Sequence, residues 1–421
     1  MIKKSVIIFI WLLSLIIIAI YTHENPEKIR FVKDYFEKYQ EPEVATKEEG
    51  VTRKWANSFV VEFSKVISFT GKTSFIFHDE NILNFNKNKT KIYFQNGYMS
   101  QNIETSKLNL PKTFTTVRNG GIKTVFIYEG KEFGLISASE NNCFYASIVL
   151  LNNGKELFKT NCLPNKNIDF NGLGSSYIHL KDKILLSIGT PEQASLEIRE
   201  LAQDKNSMFG KILEINKKDL DKIINNEESK LSVKIFSMGH RNPQGLTKIN
   251  ESFFSVEHGP RGGDELNRII KGKNYGWPKV SYGTKYIYDD NGKPYEMSHE
   301  DNQFEEPLFA LVPSVGISAL NTCPRKLKEY YKKPCLLALS LYGNTLRPGR
   351  SIIIYLLNNN MDQVHSIEKI HLGADLKVDY LKLRHFVTNS RNELYEDSKG
   401  NIYASVDRKG IYKLSFKYFR N

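Results

Sequence analysis

The chain of 421 residues is 40% hydrophobic and 25% charged, which is typical of a folded protein with a large core and excludes an intrinsically disordered chain. Its formal net charge is +12 and its pI is near 9.2, but the lysines are scattered and form no basic helix or nucleic-acid-binding motif. Composition therefore favours a globular protein with a solvated, lysine-rich surface, and no nucleic acid partner is expected.

The N-terminus carries a charge-free apolar run of 17 residues, SVIIFIWLLSLIIIAIY, directly after MIKK. A helix of this length spans about 25 Å, enough to cross a thin hydrocarbon core, and Lys3 and Lys4 would keep its start in the cytoplasm. No A-x-A motif follows, so residues 1–23 are interpreted as a signal-anchor, with a cleaved signal peptide as the alternative. In both cases the rest of the chain is expected on the periplasmic or extracellular face of a membrane.

Residues 24–54 are charged and contain prolines, which predicts a stalk or linker. From residue 55 to 421, short runs rich in Val, Ile, Tyr and Phe alternate with turns of Gly, Asn, Asp and Lys. Examples are TKIYFQNG, KTVFIYEG, FGLISASENN, CFYASIVLLNNG, KILLSIG, GKILEIN, SIIIYLLNNN and NIYASVDRKGIYKLSF, while SLEIRELAQDKNSMF is the main helix-like exception. Many short, regularly spaced strands indicate an all-β sandwich, barrel or propeller.

The four cysteines fall into two close pairs. Cys143 and Cys162 are 19 residues apart, and Cys323 and Cys335 are 12 apart. Outside the cytoplasm, pairing within each couple is the natural expectation, although four cysteines allow three pairings and the sequence does not choose among them. No C-x-x-C motif is present, so a structural zinc site is not expected.

Four stretches together carry a family resemblance: AQDKNSMFGKILEIN (202–216), GHRNPQGL (239–246), EHGPRGGDELNRIIKGKNYGWPKVSYG (257–283) and EEPLFALVPSVGISAL (305–320). They resemble the glucose/sorbosone dehydrogenases, also called aldose sugar dehydrogenases. The resemblance implies a six-bladed β-propeller that uses pyrroloquinoline quinone (PQQ) and calcium to oxidise a sugar hydroxyl by hydride transfer. It is specific over roughly residues 200–320 and cannot be traced before about residue 130.

The resemblance assigns quinone contacts to Arg241 and Asn242. PQQ is a planar tricarboxylate, and a guanidinium can meet a carboxylate through two parallel hydrogen bonds, while an amide adds directionality. Pro243 and Gly245 are predicted to form the turn that aims both side chains at the mouth of the propeller. The alternative is a solvated turn in which the arginine pairs with a local acid.

The second stretch carries the metal assignment. Calcium prefers hard oxygen ligands, including backbone carbonyls. The family implies that the carbonyls of Gly259 and Pro260 hold the calcium that docks the quinone, with His258 beside the cofactor. A second, structural calcium is implied at the Glu265 side chain and the Tyr275 carbonyl. The alternative for Glu265 is an exposed loop acid, and Trp277 is expected to serve packing.

The sequence departs from the family where sugar oxidation needs a proton acceptor. Asn171 occupies the position of the family's histidine base, and Asn cannot accept a proton at neutral pH. Ser175 replaces an arginine, and Thr190 replaces an aspartate after the retained Gly189. His179 is nearby, but it is predicted to be a core or surface histidine.

The C-terminal part departs as well. Tyr342 stands where the family places a lysine that contacts the quinone. The family's later pair of arginines aligns best with SRNEL (390–394), where only Arg391 is cationic. Three hypotheses follow: an active quinoprotein sugar dehydrogenase, a catalytically degenerate propeller that binds a carbohydrate or protein, and a lactonase-type hydrolase, for which no motif was found.

Overall fold

Antiparallel sheets make up most of the regular structure in the computed structural model. It describes residues 40–45, 51–56, 58–79, 81–164, 168–191, 196–286, 291–341, 351–371 and 382–420. All helices and strands given below belong to the unit Pro42–Asn421. The first three strands are β1 (Val44–Ala45), β2 (Thr52–Trp55) and β3 (Val60–Phe69).

Five sheets of four strands follow in chain order, and each is a meander in which consecutive strands pair. Blade 1 contains β4 (Thr73–His78), β5 (Thr90–Phe94), β6 (Tyr98–Gln101) and β7 (Glu104–Lys107). Blade 2 contains β8 (Ile122–Tyr128), β9 (Lys131–Glu140), β10 (Cys143–Leu150) and β11 (Lys155–Lys159). Blade 3 contains β12 (Tyr177–His179), β13 (Lys183–Ile188), β14 (Lys211–Asn216) and β15 (Val233–Met238).

Blade 4 contains β16 (Pro243–Ile249), β17 (Ser252–Glu257), β18 (Asp264–Ile269) and β19 (Phe309–Leu311). Blade 5 contains β20 (Ile317–Thr322), β21 (Cys335–Ser340), β22 (Ser351–Leu357) and β23 (Val364–His371). The last strands are β24 (Leu383–Phe386), β25 (Ile402–Val406) and β26 (Gly410–Lys417).

The sixth blade closes the ring by joining the two ends of the described chain. Its strand order is β24, β25, β26, β3, so an N-terminal strand completes a C-terminal sheet. β26 pairs with β3 from Ile411↔Ile67 to Lys417↔Val60. The all-β, six-bladed propeller expected from the resemblance is therefore confirmed. β1 and β2 add to β3 on its outer side, so the sheet extends into residues 24–54, which the sequence interpretation assigned to a stalk.

The first strand of each blade lines the centre of the ring, and all six run in the same direction. Their starts contact each other: Ser74 Oγ donates to the Ile122 carbonyl, and Ser318 Oγ donates to the Leu383 carbonyl. Near their far ends, Phe77 and Thr388 form a parallel bridge. Below, the end of the ring at which the inner strands begin is the Arg241 end, and the other is the Lys248 end.

Most of the predicted strand runs are strands because their apolar residues fill the layers between neighbouring blades. Phe126 and Phe133 of blade 2 stack at 5.0 Å, and Phe126 lies 6.0 Å from Tyr177 of blade 3. Strand runs such as CLLALS (β21) and SIIIYLL (β22) are buried throughout. Sheets covered on both faces need such continuous apolar runs, which is why alternation is weak in this sequence.

In the described chain the helices occur only in the connections between strands. The sequence predicted a helix in one of these connections and did not predict the other two. In the described part of SLEIRELAQDKNSMF, which begins at Leu196, the helix is α1 (Leu196–Glu200), and turns follow it. α2 (Lys217–Ile224) is capped by the Asn216 side chain, which accepts from the Lys218 amide, and it buries Leu220 and Ile223. α3 (Arg325–Tyr331) lies in the connection between β20 and β21.

Both disulfides connect the cysteines that are close in sequence. Cys143–Cys162 has a Cα–Cα distance of 5.3 Å and Cys323–Cys335 one of 5.4 Å. The expected pairing is thereby confirmed. In the residues that the structure describes, no helix has the length and apolarity needed to span a bilayer. The apolar run of residues 1–23, interpreted as a signal-anchor, lies outside those residues.

Candidate functional site

Strand pairing brings the two strongest motifs to the same end of the ring. Arg241 and Asn242 directly precede β16, and His258, Gly259 and Pro260 directly follow β17. Because β16 and β17 are antiparallel, with Pro243 opposite Glu257, the start of one strand lies beside the end of the other. The predicted cofactor residues therefore meet at the Arg241 end.

The guanidinium of Arg241 occupies a cradle of backbone carbonyls. Its Nη1 donates to the His258 carbonyl at 2.9 Å and to the Gly259 carbonyl at 2.7 Å. Its positive charge also faces the Trp277 ring, 5.2 Å from the ring centroid. Trp277 therefore does more than the packing expected of it. The carbonyl that the resemblance assigns to calcium, that of Gly259, accepts from a cation of the chain itself.

Asn242 is buried and binds the chain around it. Its Oδ1 accepts from the Gly174 amide at 2.8 Å and from Gln244 Nε2 at 2.8 Å. Its Nδ2 donates to the Asn171 carbonyl at 3.3 Å. The amide predicted to contact a cofactor thus holds the segment of Asn171 and Gly174 at the Arg241 end.

The predicted turn at Pro243 and Gly245 is wrong, because both residues lie in β16. The turn is made earlier, at Gly239, whose φ of 77° is in the region that favours glycine. Gly245 serves close packing, since a Cβ there would lie 2.4 Å from the Leu320 backbone nitrogen in blade 5. The sequence indicated that Gly245 has a specific structural role. That role is to let blades 4 and 5 pack closely together, and not to form a turn.

Six of the seven predicted site residues line one small cavity. Its lining consists of Gly239, Arg241, Glu257, His258, Gly259, Pro260, Glu265, Tyr275, Trp277, Val280 and Ser281. Asn242 is the predicted residue outside this lining. Among the described residues, no group of three or more His, Cys, Asp and Glu side chains is arranged to hold a metal ion.

Two buried carboxylates face each other at the base of this cavity. Glu257 on β17 pairs with Glu265 on β18, and Asn267 Nδ2 donates to both, at 2.7 Å and 3.2 Å. Burial and the charge of Glu257 raise the pKa of Glu265 well above its ordinary value. Glu265 is therefore a buried acid and not the exposed loop acid of the alternative interpretation. Glu257 was not among the predicted site residues, although it directly precedes the H-G-P motif.

The pKa of Glu257 is lowered despite the burial of its carboxyl group. Burial alone would raise the pKa of Glu257, but His240 and the other donors hold that pKa below its ordinary value. His240 Nδ1 lies 3.0 Å from Glu257 Oε1, and the Arg241 amide donates to Oε2 at 2.9 Å. Tyr275 stacks on the His240 ring at 4.6 Å and donates its hydroxyl to the Arg268 carbonyl. These contacts fix the backbone on which Arg241 stands.

Asp264 ties the loop after β17 to the start of blade 5. Its Oδ1 accepts from the Gly259 amide, and its Oδ2 accepts from the amides of Val315, Gly316 and Ile317 at 2.7–3.2 Å. The side chain is buried. A carboxylate with four backbone donors is strongly stabilised, so Asp264 holds the Gly259 carbonyl in position.

His258 presents an unprotonated imidazole beside Arg241. Burial lowers the pKa of His258, and the charges of Arg241 and Arg384 lower it further against the opposing effect of Asp264. Within the described chain its Nε2 is buried and has no hydrogen-bond partner. A buried polar atom without a partner is uncommon and indicates a place for a bound group.

Arg384 is a cation of this end that sequence analysis missed. It lies on β24, and its Nε pairs with Asp407 Oδ2 at 2.5 Å. The signal was the sequence KLRH at 382–385, in which two cations alternate at the start of an inner strand. The sequence comparison aligned the family's pair of arginines with SRNEL (390–394). In the structure Arg391 follows β24 and therefore lies at the Lys248 end, away from Arg241. Tyr342 is outside the described residues.

Asn171, which occupies the position of the family's histidine base, lies next to Asn242. Asn171 is exposed there, and its amide donates to Asp169 Oδ1 at 2.9 Å. Thr190 Oγ1 donates to the Arg241 carbonyl at 2.9 Å, while Ser175 Oγ donates to the Ser187 carbonyl. His179 ends β12, at the other end of the ring from Asn171.

A central cavity continues from this end between the inner strands. Its lining is polar on several blades and comprises Ser74, Phe75, Thr124, Ser175, Ser176, Gln244, Gly245, Ala319, Leu320, Asn321, His385, Phe386, Thr388 and Asn392. His385 Nε2 lies 3.2 Å from the Thr73 carbonyl, which can only accept, so that nitrogen carries the proton and Nδ1 has the lone pair.

Comparison with known proteins places this architecture. Residues 146–347 match the sequence model of the Glucose / Sorbosone dehydrogenase family. Aldose sugar dehydrogenase YliI of Escherichia coli is 37% identical over 112 residues, which cover 25% of this chain and 28% of that protein. Quinoprotein glucose dehydrogenase B of Acinetobacter calcoaceticus is 39% identical over 110 residues, 25% of this chain and 21% of that protein. The chain thus matches less than a third of either relative's length.

Solved structures extend the likeness to the whole ring. The soluble aldose sugar dehydrogenase of Escherichia coli, in its apo-form, superposes with a TM-score of 0.59 at 19% identity, covering 87% of this chain and 99% of that one. The PQQ-bound aldose sugar dehydrogenase of Streptomyces coelicolor gives 0.54 at 14% identity, covering 89% and 99%. At this identity the superpositions show the fold. Residues 146–347 are therefore similar in sequence to the glucose/sorbosone dehydrogenase family, and the six-bladed ring that contains them has the fold of the solved sugar dehydrogenases.

Proposed function

We propose that this chain is an exported, PQQ-dependent aldose sugar dehydrogenase that oxidises a sugar hydroxyl. The observation that carries the proposal is the convergence of Arg241, His258 and Gly259 on one cavity, with the charge of Arg384 acting on the same imidazole. Cationic forks suit carboxylates, and a neutral imidazole with a buried, unpartnered nitrogen suits a polar heterocycle. This donor set fits a planar anionic quinone, which when bound supplies the two-electron acceptor.

Arg241 and Arg384 would bind and orient the carboxylates of the quinone. His258 Nε2 would donate to or accept from a polar atom of the bound ring system, since its own chain supplies no partner among the described residues. Glu257 and the Trp277 ring hold Arg241 from behind, which limits the entropy lost when the guanidinium binds. Asp264 would keep the Gly259 carbonyl in place for a cation.

Calcium is proposed at the carbonyls of Gly259 and Pro260, with a second ion at Glu265 and Tyr275. The Gly259 carbonyl already accepts from Arg241, so a calcium ion there would have to replace the guanidinium as the bound cation. Arg241 would then be released toward a carboxylate. Cation and quinone would bind cooperatively for this reason.

Export is proposed from two independent features. Residues 1–23 have the sequence of a signal-anchor, and both disulfides require an oxidising compartment to form. A membrane-anchored propeller on the periplasmic or extracellular face would be consistent with both. A fractionation experiment with a cysteine-reactive probe before and after reduction would test the location.

A second candidate, a catalytically degenerate propeller that binds a carbohydrate or protein, is supported by Asn171 and Thr190. An amide cannot take the proton of the sugar hydroxyl, and a general base typically contributes about 10²–10⁴-fold to rate. The neutral imidazoles His258 and His385 are the alternatives that the described part of the Arg241 end provides for this proton.

The experiment that tests the proposal is a PQQ titration of the full chain with and without calcium. Saturable binding at micromolar PQQ, a calcium-dependent increase in melting temperature, and dye reduction with an aldose are expected. Binding without turnover on a panel of aldoses would support the degenerate propeller. Absence of binding with calcium present would contradict both the cofactor and its site.

A further inference from the structure

Three cations from separate segments converge at the Lys248 end, opposite the candidate site. Lys217 begins α2, Lys248 is near the end of β16, and Arg391 lies between β24 and β25. Lys248 is six residues beyond Asn242 in sequence, which corresponds to about 20 Å at the rise of a strand. This cationic cluster of Lys217, Lys248 and Arg391 is therefore separate from Arg241 and Arg384.

Hydrogen bonds attach all three segments to β12. Lys248 Nζ donates to the His179 carbonyl at 2.9 Å, and Lys217 Nζ donates to the Leu180 carbonyl at 2.7 Å. The neighbours of Arg391 are bound to Tyr177, because the Tyr177 hydroxyl donates to the Ser390 carbonyl at 3.1 Å and Asn392 Nδ2 donates to the Tyr177 carbonyl at 2.8 Å. The two ammonium groups and the backbone of Arg391 are thus fixed around one strand end.

The cluster is not neutralised by salt bridges. In the described part of the chain, Lys217, Lys248 and Arg391 contact no carboxylate closely enough to form an ion pair. Asp182 and Glu129 are the acids whose charges act on Lys217, and Asp182 lies 3.8 Å from Lys183. Lys248 Nζ donates to one carbonyl, so two of its N–H groups are available. Lys217 Nζ donates to the Leu180 carbonyl at 2.7 Å and the Lys181 carbonyl at 3.4 Å, and it lies 5.7 Å from the centroid of the Tyr128 ring. Like charges held together in this way repel one another.

His179 lies inside the cluster and adds a second observation. Its Nε2 is buried and has no hydrogen-bond partner among the described residues. Burial lowers the pKa of His179 to about 4, with the charges of Lys217, Arg391 and Lys248 acting in the same direction. A hydrogen phosphate ion would satisfy this arrangement, because its O–H can donate to the imidazole nitrogen while its charged oxygens accept from the surrounding cations.

We propose that the Lys248 end of the ring binds a small phosphate-class oxyanion, held by Lys217, Lys248 and Arg391 beside His179. A dianion suits the site because three cations converge on it with only partial compensation by Asp182 and Glu129. Arg391 supplies a planar fork, and the two lysines supply point charges. The proposal does not depend on PQQ binding or on dehydrogenase activity.

The test uses the full chain and inorganic phosphate, titrated against sodium chloride of matched ionic strength, with affinity measured by calorimetry and by thermal unfolding. Saturable binding is expected, and Arg391→Gln should weaken it about tenfold or more, the loss typical of one charge-assisted hydrogen bond. The Arg391 side chain is exposed, so this variant should fold. Lys218→Gln is the matched control, since Lys218 is the exposed neighbour of Lys217 on α2, and it should change affinity less than twofold.

Two results would overturn the proposal. One is the absence of saturable phosphate binding above the chloride control. The other is an equal loss of affinity in Lys218→Gln and Arg391→Gln, which would indicate a diffuse response to the net charge of +12. A third measurement checks the repulsion itself: without phosphate, Arg391→Gln should melt at the same or a higher temperature than the parent, and a lower value would contradict the premise.

Discussion

The two ends of strand β16 carry the same kind of side chain in opposite surroundings. At the start, Arg241 donates to two carbonyls, faces Trp277 and has Glu257 behind its backbone. Near the finish, Lys248 binds the His179 carbonyl among other cations. The first cation is positioned by carbonyls and an aromatic ring, whereas the second is held by a carbonyl without a counter-charge. A bound group would displace an internal contact at the Arg241 end, but it would supply a missing one at the Lys248 end.

The largest effect should come from removing the anchor of the Arg241 end. Asp264→Ala leaves the amides of Gly259, Val315, Gly316 and Ile317 without their acceptor in a buried place, which should cost about 3–5 kcal/mol of unfolding free energy. Urea unfolding measures this. Asp301→Ala, at an exposed acid, is the control and should change stability by less than about 0.5 kcal/mol. A similarly small loss in Asp264→Ala would refute the network described here.

Arg241→Ala and Arg391→Ala compare the two ends directly. Arg241→Ala should weaken PQQ binding at least about 100-fold, because a positioned guanidinium for a carboxylate is lost. The same variant should bind calcium more tightly, since the Gly259 carbonyl no longer accepts from Arg241. Arg391→Ala should leave both affinities unchanged. Calorimetric titrations would show a misplaced cofactor site if PQQ bound undiminished to the Arg241 variant.

Asn171→His tests the missing base at the same end. If the chain oxidises sugars, an imidazole at this exposed position next to Asn242 should raise turnover about 10- to 100-fold, within the range of general-base catalysis. The pH profile should gain a limb near the ordinary pKa of histidine. Asn171→Gln keeps the amide and should show the parent rate. A rate that falls in the His variant would mean that another group already accepts the proton.

The smallest effect concerns one histidine at each end. Burial, then the charge of Arg384, lowers the pKa of His385 to about 4, and burial and three cations lower that of His179 to about 4. In the unfolded chain both titrate near 6.5. Between about pH 6.5 and pH 4 the unfolded state therefore binds more protons than the folded state, so stability is lost as pH falls through this range.

His385→Gln and His179→Gln should each reduce that loss, by roughly 1–2 kcal/mol between pH 7.5 and 4.5. Phosphate should reduce the contribution of His179 to the loss of stability at low pH, because a bound anion favours the imidazolium. It should leave the contribution of His385 unchanged. Urea unfolding of the parent and of each variant at both pH values, with and without phosphate, measures these two contributions. Equal responses of the two variants to phosphate would remove the distinction between the ends.

Much of the Arg241 end could be predicted because its residues are consecutive. Arg241 to Asn242 and His258 to Pro260 are local motifs, and six of the seven predicted residues line one cavity. Arg384 was missed for a physical reason: its partners Asp407 and His258 are distant in sequence, and only the direction of β24 shows which end it occupies. Arg391 aligned better than Arg384 with the family's pair of arginines, but it lies at the Lys248 end and not at the Arg241 end.

Local sequence alone determined most strands, the grouping of the cysteines into two close pairs and the Arg241 motif, because each depends on propensity, spacing or adjacent residues. Tertiary structure decided what those features contact. It closed the ring through β3 and β26, placed Glu257 opposite Glu265, and set the cationic cluster around His179. All three features depend on which strands become neighbours. Burial of apolar faces between blades decides that, and no single segment of the sequence determines it by itself.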